Sequence, residues 1–166
     1  METSLQFSNI STFIFDVDGV FTDNRLLVTE QGELLRTMNA RDGYAVKKVI
    51  ELGYTVIIIT GGTSQGVKTR LAGLGIKDIY LGISNKKEVL TKHLQTNSIN
   101  PKTCIYMGDD IIDIACIEYA GIGVCPSDAA EEVKKKSNYI CLNKGGDACV
   151  REIIELVLKS KEEWQM

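Results

Sequence analysis

The chain has 166 residues, 44% of them hydrophobic and 25% charged, with a formal net charge of −3. That is enough apolar chain for one domain, residues 1–166, with a buried core, and too little for a separate substrate-binding domain beside it. The charge balance gives no electrostatic case for nucleic acid or an anionic membrane, and no run reaches the roughly 18 apolar residues of a membrane span.

The opening segment, METSLQFSNI, lacks a basic region followed by an apolar run, so no signal peptide is expected and the reading is cytoplasmic. A buried strand follows over 12–15 and ends in Asp16-Val17-Asp18-Gly19-Val20. Two acids so placed are costly unless they bind something. One carboxylate can attack phosphorus, and a second can protonate the leaving alcohol and then activate water. Gly19 lets the chain turn so that both groups face one spot. Residues 24–38 read NRLLVTEQGELLRTM. Two short apolar runs flank a turn at Gly32, which predicts a β-hairpin that acts as a small lid, or else a plain loop.

Amphipathic spacing predicts a helix over 43–52, stopped by Gly53. A strand over 55–59 ends in Thr60-Gly61-Gly62, a hydroxyl and glycine amides at the start of a helix over 64–74 with Thr63 as its cap. This suits an anion but equally an ordinary capped turn. After a strand over 78–81 comes Ser84-Asn85-Lys86, opening a helix over 86–96. Lys86 can neutralise a transferring phosphoryl group, with Lys87 a competitor for that role. A strand over 104–107 ends in Gly108-Asp109-Asp110, followed by Asp113 and a helix over 111–120. Three acids in so short a span repel one another unless a cation neutralises them, and oxygen ligands of this kind suit Mg²⁺. A strand over 122–124, a helix over 128–136, a strand over 139–142 and a helix over 147–160 complete the chain. The alternation predicts an α/β fold, a three-layer, Rossmann-like parallel sheet with helices on both faces and binding residues just past the strand ends. Five cysteines, Cys104, Cys116, Cys125, Cys141 and Cys149, form no CxxC pair and accompany one histidine, His93. Reduced, mostly buried thiols are expected rather than a zinc site.

The ordered set DxDGV, T-G, lysine and GDDxxD, each after a strand, resembles the haloacid dehalogenase superfamily, and the resemblance covers essentially the whole chain. It implies Asp16 as nucleophile and Asp18 as general acid and base. It further implies Mg²⁺ held by Asp16, Asp109 and the backbone carbonyl of Asp18. Thr60, Gly61 and Lys86 would hold the phosphoryl group, while Asp110 and Asp113 would shape the metal's surroundings and orient Lys86. An acid at position 18 favours phosphate esters over halides, because an alkoxide needs a proton to leave and a halide does not.

Finer stretches narrow the resemblance. DVDGVFTD, NARDGYAVKKVIELGY, SNK, GDDIIDIACIEYAG and GGDACVRE are similar to the 3-deoxy-manno-octulosonate 8-phosphate phosphatases, a subfamily without a cap domain. That likeness implies a phosphorylated sugar acid as substrate and a homotetramer in which one subunit's hairpin covers the next subunit's site. Arg70, with Lys68 nearby, would reach across the interface to the sugar acid's carboxylate. The Arg41-Asp42-Gly43 stretch is given no role beyond capping and positioning. Two departures stand out: Gly62, where relatives often carry a larger polar residue, and Ala148 in place of a glycine, which puts a flexible tail reaching the site in doubt. The alternatives are a 2-keto-3-deoxynonulosonate 9-phosphate phosphatase and a non-catalytic oligomerisation module of a sugar-acid activation pathway.

Overall fold

The computed structural model describes residues 6–165, so part of the opening segment weighed above as a signal lies outside the described residues. Strand β1 (Thr12–Phe15) leads into the antiparallel hairpin of β2 (Leu27–Val28) and β3 (Leu34–Leu35). Then come α1 (Ala40–Glu51), β4 (Thr55–Ile59), α2 (Gln65–Gly73), β5 (Asp78–Tyr80) and α3 (Lys86–Thr96). The rest is β6 (Cys104–Met107), α4 (Ile114–Ile117), β7 (Ile122–Cys125), α5 (Glu131–Lys136), β8 (Tyr139–Ile140) and α6 (Cys149–Ser160). Six strands form one parallel sheet in the order β5-β4-β1-β6-β7-β8. From β1 the chain runs outward through β4 and β5, then returns to β6 on the other side of β1. The switch point therefore lies between β1 and β6, where sheets of this kind bind their ligands.

The apolar runs are continuous because both faces are covered. Along β1, Phe13 and Phe15 join one core with residues of α1, α2 and α6, while Ile14 joins a second core with residues of α3, α4 and α5. Val56 and Ile58 of β4 and Ile105 and Met107 of β6 share the first core; Ile57, Ile59, Cys104 and Tyr106 share the second. All five cysteines are buried and unpaired.

Several boundaries differ from the sequence reading. Helix α1 begins earlier than residue 43 because Asn39 caps it, accepting from Arg41 N at 2.8 Å. Ser64, not Thr63, caps α2 by accepting from Val67 N at 3.3 Å. The helix expected over 111–120 is a 3₁₀ turn, Ile111–Asp113, followed by the four-residue α4. Its start is tightened by the reciprocal caps of Asp110 and Asp113, which favour a short turn over a continuous helix.

Helix α6 explains the Arg41-Asp42-Gly43 stretch. Its N-cap residue, Ala148, has φ 68° and no capping side chain. Asp42 Oδ1, from α1, caps it instead by accepting from Arg151 N at 2.8 Å. Asp42 is fully buried, and its Oδ2 has no partner among the described residues. Burial lifts its pKa to about 6, against the opposing hydrogen bond from Arg151.

Candidate active site

Asp16 stands immediately past β1, its backbone N–H extending the ladder to Met107 O at 3.0 Å. One carboxylate oxygen, Oδ1, accepts from Val17 N at 2.7 Å; the other, Oδ2, lies 2.6 Å from Lys86 Nζ. Lys86 is the first residue of α3, whose N-cap Asn85 accepts from Glu88 N. Buried at 3% exposure, Lys86 also donates to Asp113 Oδ1 at 2.8 Å. The competitor Lys87 is elsewhere, with its Nζ 3.5 Å from the Tyr119 ring centroid. Burial opposes the charge on Lys86, but Asp16 and Asp113 outweigh it and its pKa is raised. For Asp16, burial and the nearby Asp113 outweigh Lys86, and its pKa rises to about 6.

Asp113 is the hub. Its Oδ1 accepts from Lys86 and from Tyr106 OH at 2.7 Å, and its Oδ2 accepts from the backbone N–H groups of Asp109 at 3.1 Å and Asp110 at 3.3 Å. Four donors thus hold its two oxygens. The Asp110 carboxylate accepts from Ile111 N at 2.7 Å, and of the pair expected to orient Lys86 it is Asp113 that bonds to it. Asp109 accepts from Asn24 Nδ2 at 3.1 Å, and burial, then Asp16 and Asp113, lifts its pKa to about 7.

Carboxylate oxygens of Asp16, Asp109 and Asp113 lie within 4.8 Å of one another. Such a cluster, with two members pushed well above the ordinary carboxylate range, fits a hard divalent cation with oxygen ligands. Because donors already fill Asp113, Asp16 and Asp109 are the members left to coordinate it. Gly19 is required here: its φ is 81°, and a Cβ on it would stand 1.9 Å from Asp109 Oδ2. Gly145 packs against the same loop, where a Cβ would meet Gly19 O at 2.0 Å. The glycine-rich segment therefore braces the loop that carries Asp16 and Asp18.

Thr60 is buried just past β4, and its Oγ1 accepts from Gly62 N at 3.2 Å. Gly61 follows, exposed. Asp18 is gripped by a residue that sequence reasoning missed: Arg36, beyond β3, donates from Nε to Oδ1 at 2.6 Å and from Nη2 to Oδ2 at 3.1 Å. In sequence, Arg36 is one more charge at the end of a hairpin. Asn24 and Tyr106, which support Asp109 and Asp113, were likewise unread, as nothing in their sequence context distinguishes them from a loop polar residue and a core aromatic. Lys68 and Arg70 lie exposed on α2; the Arg70 guanidinium approaches Gly43, where a Cβ would meet Nη2 at 2.6 Å.

A parallel sheet whose central strands β1 and β6 end in clustered aspartates, with a lysine between them, defines the haloacid dehalogenase-like hydrolases. The family model of haloacid dehalogenase-like hydrolases matches residues 76–153. The 3-deoxy-D-manno-octulosonate 8-phosphate phosphatase of Yersinia pestis is 35% identical over 156 residues, covering 94% of this chain and 83% of that protein. The same phosphatase of Escherichia coli K12 is 37% identical over 150 residues, covering 90% and 80%. The chain belongs to the family of these phosphatases. A solved structure of the Yersinia pestis phosphatase superposes with a TM-score of 0.92 at 35% identity, covering 95% of this chain and 85% of that one. That of Moraxella catarrhalis, solved in complex with magnesium, phosphate and KDO, gives a TM-score of 0.90 at 31% identity, covering 93% and 88%.

Proposed function

We propose that this chain is a magnesium-dependent phosphatase that hydrolyses 3-deoxy-D-manno-octulosonate 8-phosphate through a phosphorylated Asp16. The observation that carries the reading is Lys86 held between Asp16 and Asp113, with Asp109 alongside, at the switch point of the sheet. Asp16 Oδ2 attacks phosphorus, the bond from phosphorus to the ester oxygen breaks, and Asp18 gives that oxygen a proton. Asp18 then takes a proton from water; the water oxygen attacks phosphorus, inorganic phosphate leaves, and Asp16 is restored. Lys86, Thr60 Oγ1 and the Gly61 backbone steady the phosphoryl oxygens. Asp113 fixes Lys86, and Asp110 fixes the turn that carries Asp113. Asp16, Asp109 and the Asp18 carbonyl hold the magnesium ion, which when bound offsets the negative charge of carboxylates and phosphate together.

The hairpin supports an assembly of several copies. Leu27 and Val28 are 67% and 64% exposed, and Leu26, Leu34 and Leu35 are exposed as well, an apolar flap that nothing among the described residues covers. A homotetramer buries it and brings Arg70 and Lys68 of one subunit toward a neighbouring site. No helix among the described residues is long and apolar enough to cross a membrane, and five reduced thiols suit a cytoplasmic enzyme.

The test is kcat/KM over a panel of phosphorylated sugar acids with Mg²⁺ present and after chelation. The eight-carbon 8-phosphate is expected to lead, with activity lost on chelation and restored with Mg²⁺. A preference for the nine-carbon 9-phosphate would move the substrate, and no hydrolysis of any ester would leave an assembly module.

A further inference from the structure

Arg36 ties the hairpin to the chemistry. Its fork takes both oxygens of Asp18, and its Nη1 donates to Leu34 O at 2.8 Å. The Arg36 side chain is 8% exposed and that of Asp18 30%, so the pair is half-buried at the rim of the site. Gly62 borders the pair: a Cβ there would lie in ordinary contact, 3.4 Å from Arg36 Nη2 and 3.5 Å from Asp18 Oδ2. Beside it, between the hairpin and the turn over 61–66, opens a cleft of about 610 Å³ whose lining includes Glu33, Leu34, Arg36, Gly61, Gly62 and Ser64.

With both oxygens in the fork, Asp18 is poorly placed to serve a leaving alcohol; one oxygen must first be vacated. A carboxylate entering the cleft is the same chemical group as Asp18 and competes for the same planar fork, whereas a neutral sugar does not. We propose that Arg36 is a specificity-determining gate, in which the carboxylate of the sugar-acid substrate takes up the Arg36 fork and so frees Asp18 for the ester oxygen. This rests on the sugar-acid reading above and adds to it the residue that links recognition to proton transfer. A carboxylate has about four lone-pair sites, so contact with Arg36 leaves room for Arg70 from a neighbouring subunit.

The experiment compares two primary alkyl phosphates, the eight-carbon sugar-acid phosphate and glucose 6-phosphate, in the wild type, Arg36→Ala and Arg36→Lys, all with Mg²⁺. A lost charge-assisted hydrogen-bonded contact predicts that R36A lowers the acid-to-neutral ratio of kcat/KM by about 10–100-fold. The fall divides between a higher KM for the acid ester, which loses its fork, and a higher kcat for glucose 6-phosphate, because Asp18 without the fork is free for either ester. R36K keeps the charge but not the fork and falls in between. If R36A does not fold, as judged by circular dichroism, R36K carries the test alone. Equal losses on both esters, or an R36K ratio equal to the wild type's, would overturn the gate while leaving the substrate reading intact. A wild type with no preference for the acid ester would take down both.

Discussion

Lys86→Met removes one positive charge from between two buried carboxylates while keeping most of the side chain's bulk. The lysine side chain is 1% exposed, with Nζ 2.6 Å from Asp16 and 2.8 Å from Asp113. Breaking a buried ion pair by removing one partner costs about 3–5 kcal/mol, because the other charge stays behind. Two charges stay behind here, so the upper end applies. In a chain of this size each kcal/mol moves Tm by about 2–4 °C, giving a fall of roughly 10–20 °C in metal-free buffer at pH 8. At pH 5 the fall is smaller. Asp16 already sits at about 6 and loses the neighbour that lowers it, so it takes up a proton and the repulsion with Asp113 is relieved. Thermal unfolding by circular dichroism at the two pH values, in chelator, reads both effects. A fall of less than about 3 °C at pH 8, or the same fall at both pH values, would refute the placement of Lys86 as the counter-charge of this cluster.

Three more outcomes follow from the same geometry. Asp16, Asp42 and Asp109 are raised to about 6, 6 and 7, so the folded state binds their protons more tightly than the unfolded chain does. Their contribution to stability is fully present below about pH 4 and is lost as pH rises through 6 to 7; urea midpoints of the metal-free protein track it. Asp42→Asn removes roughly 3 kcal/mol of that decline, and an unchanged slope would mean that Asp42 is not held in the buried, half-satisfied state described. Mg²⁺ raises the midpoint at pH 8 and not at pH 4, where protons compete for its ligands; equal stabilisation at both would place the ion elsewhere. The pair Leu27→Glu and Leu35→Lys, directly opposed across the hairpin, keeps the hairpin and makes one of its two apolar faces polar. Sedimentation velocity is expected to show smaller species than the wild type, and an unchanged coefficient would remove that face of the hairpin from the assembly.

The strands were legible because a sheet covered on both faces leaves unbroken runs such as TFIF and TVIII, and the acids at their ends stood where such sheets bind ligands. The resemblance then ordered Asp16, Asp18, Lys86 and Asp109 into one site. What escaped was set by contacts distant in sequence. Asp42 reaches across to cap α6, a pairing that local spacing does not encode. Arg36 is read correctly only once the hairpin folds over Asp18. The short turn before α4 likewise depends on Asp113 bending back to the Asp109 and Asp110 amides, so helical spacing over 111–120 overstated the helix.

In the proposed mechanism the phosphoryl group passes through Asp16. Rapid acid quench during turnover with Mg²⁺ and the sugar-acid phosphate, followed by peptide mass spectrometry, tests it most directly. A phosphoryl adduct on Asp16 is expected, formed and consumed at the rate of turnover, and absent together with activity in a folded Asp16→Asn variant. Full turnover by that variant, or an adduct on any other residue, would contradict it.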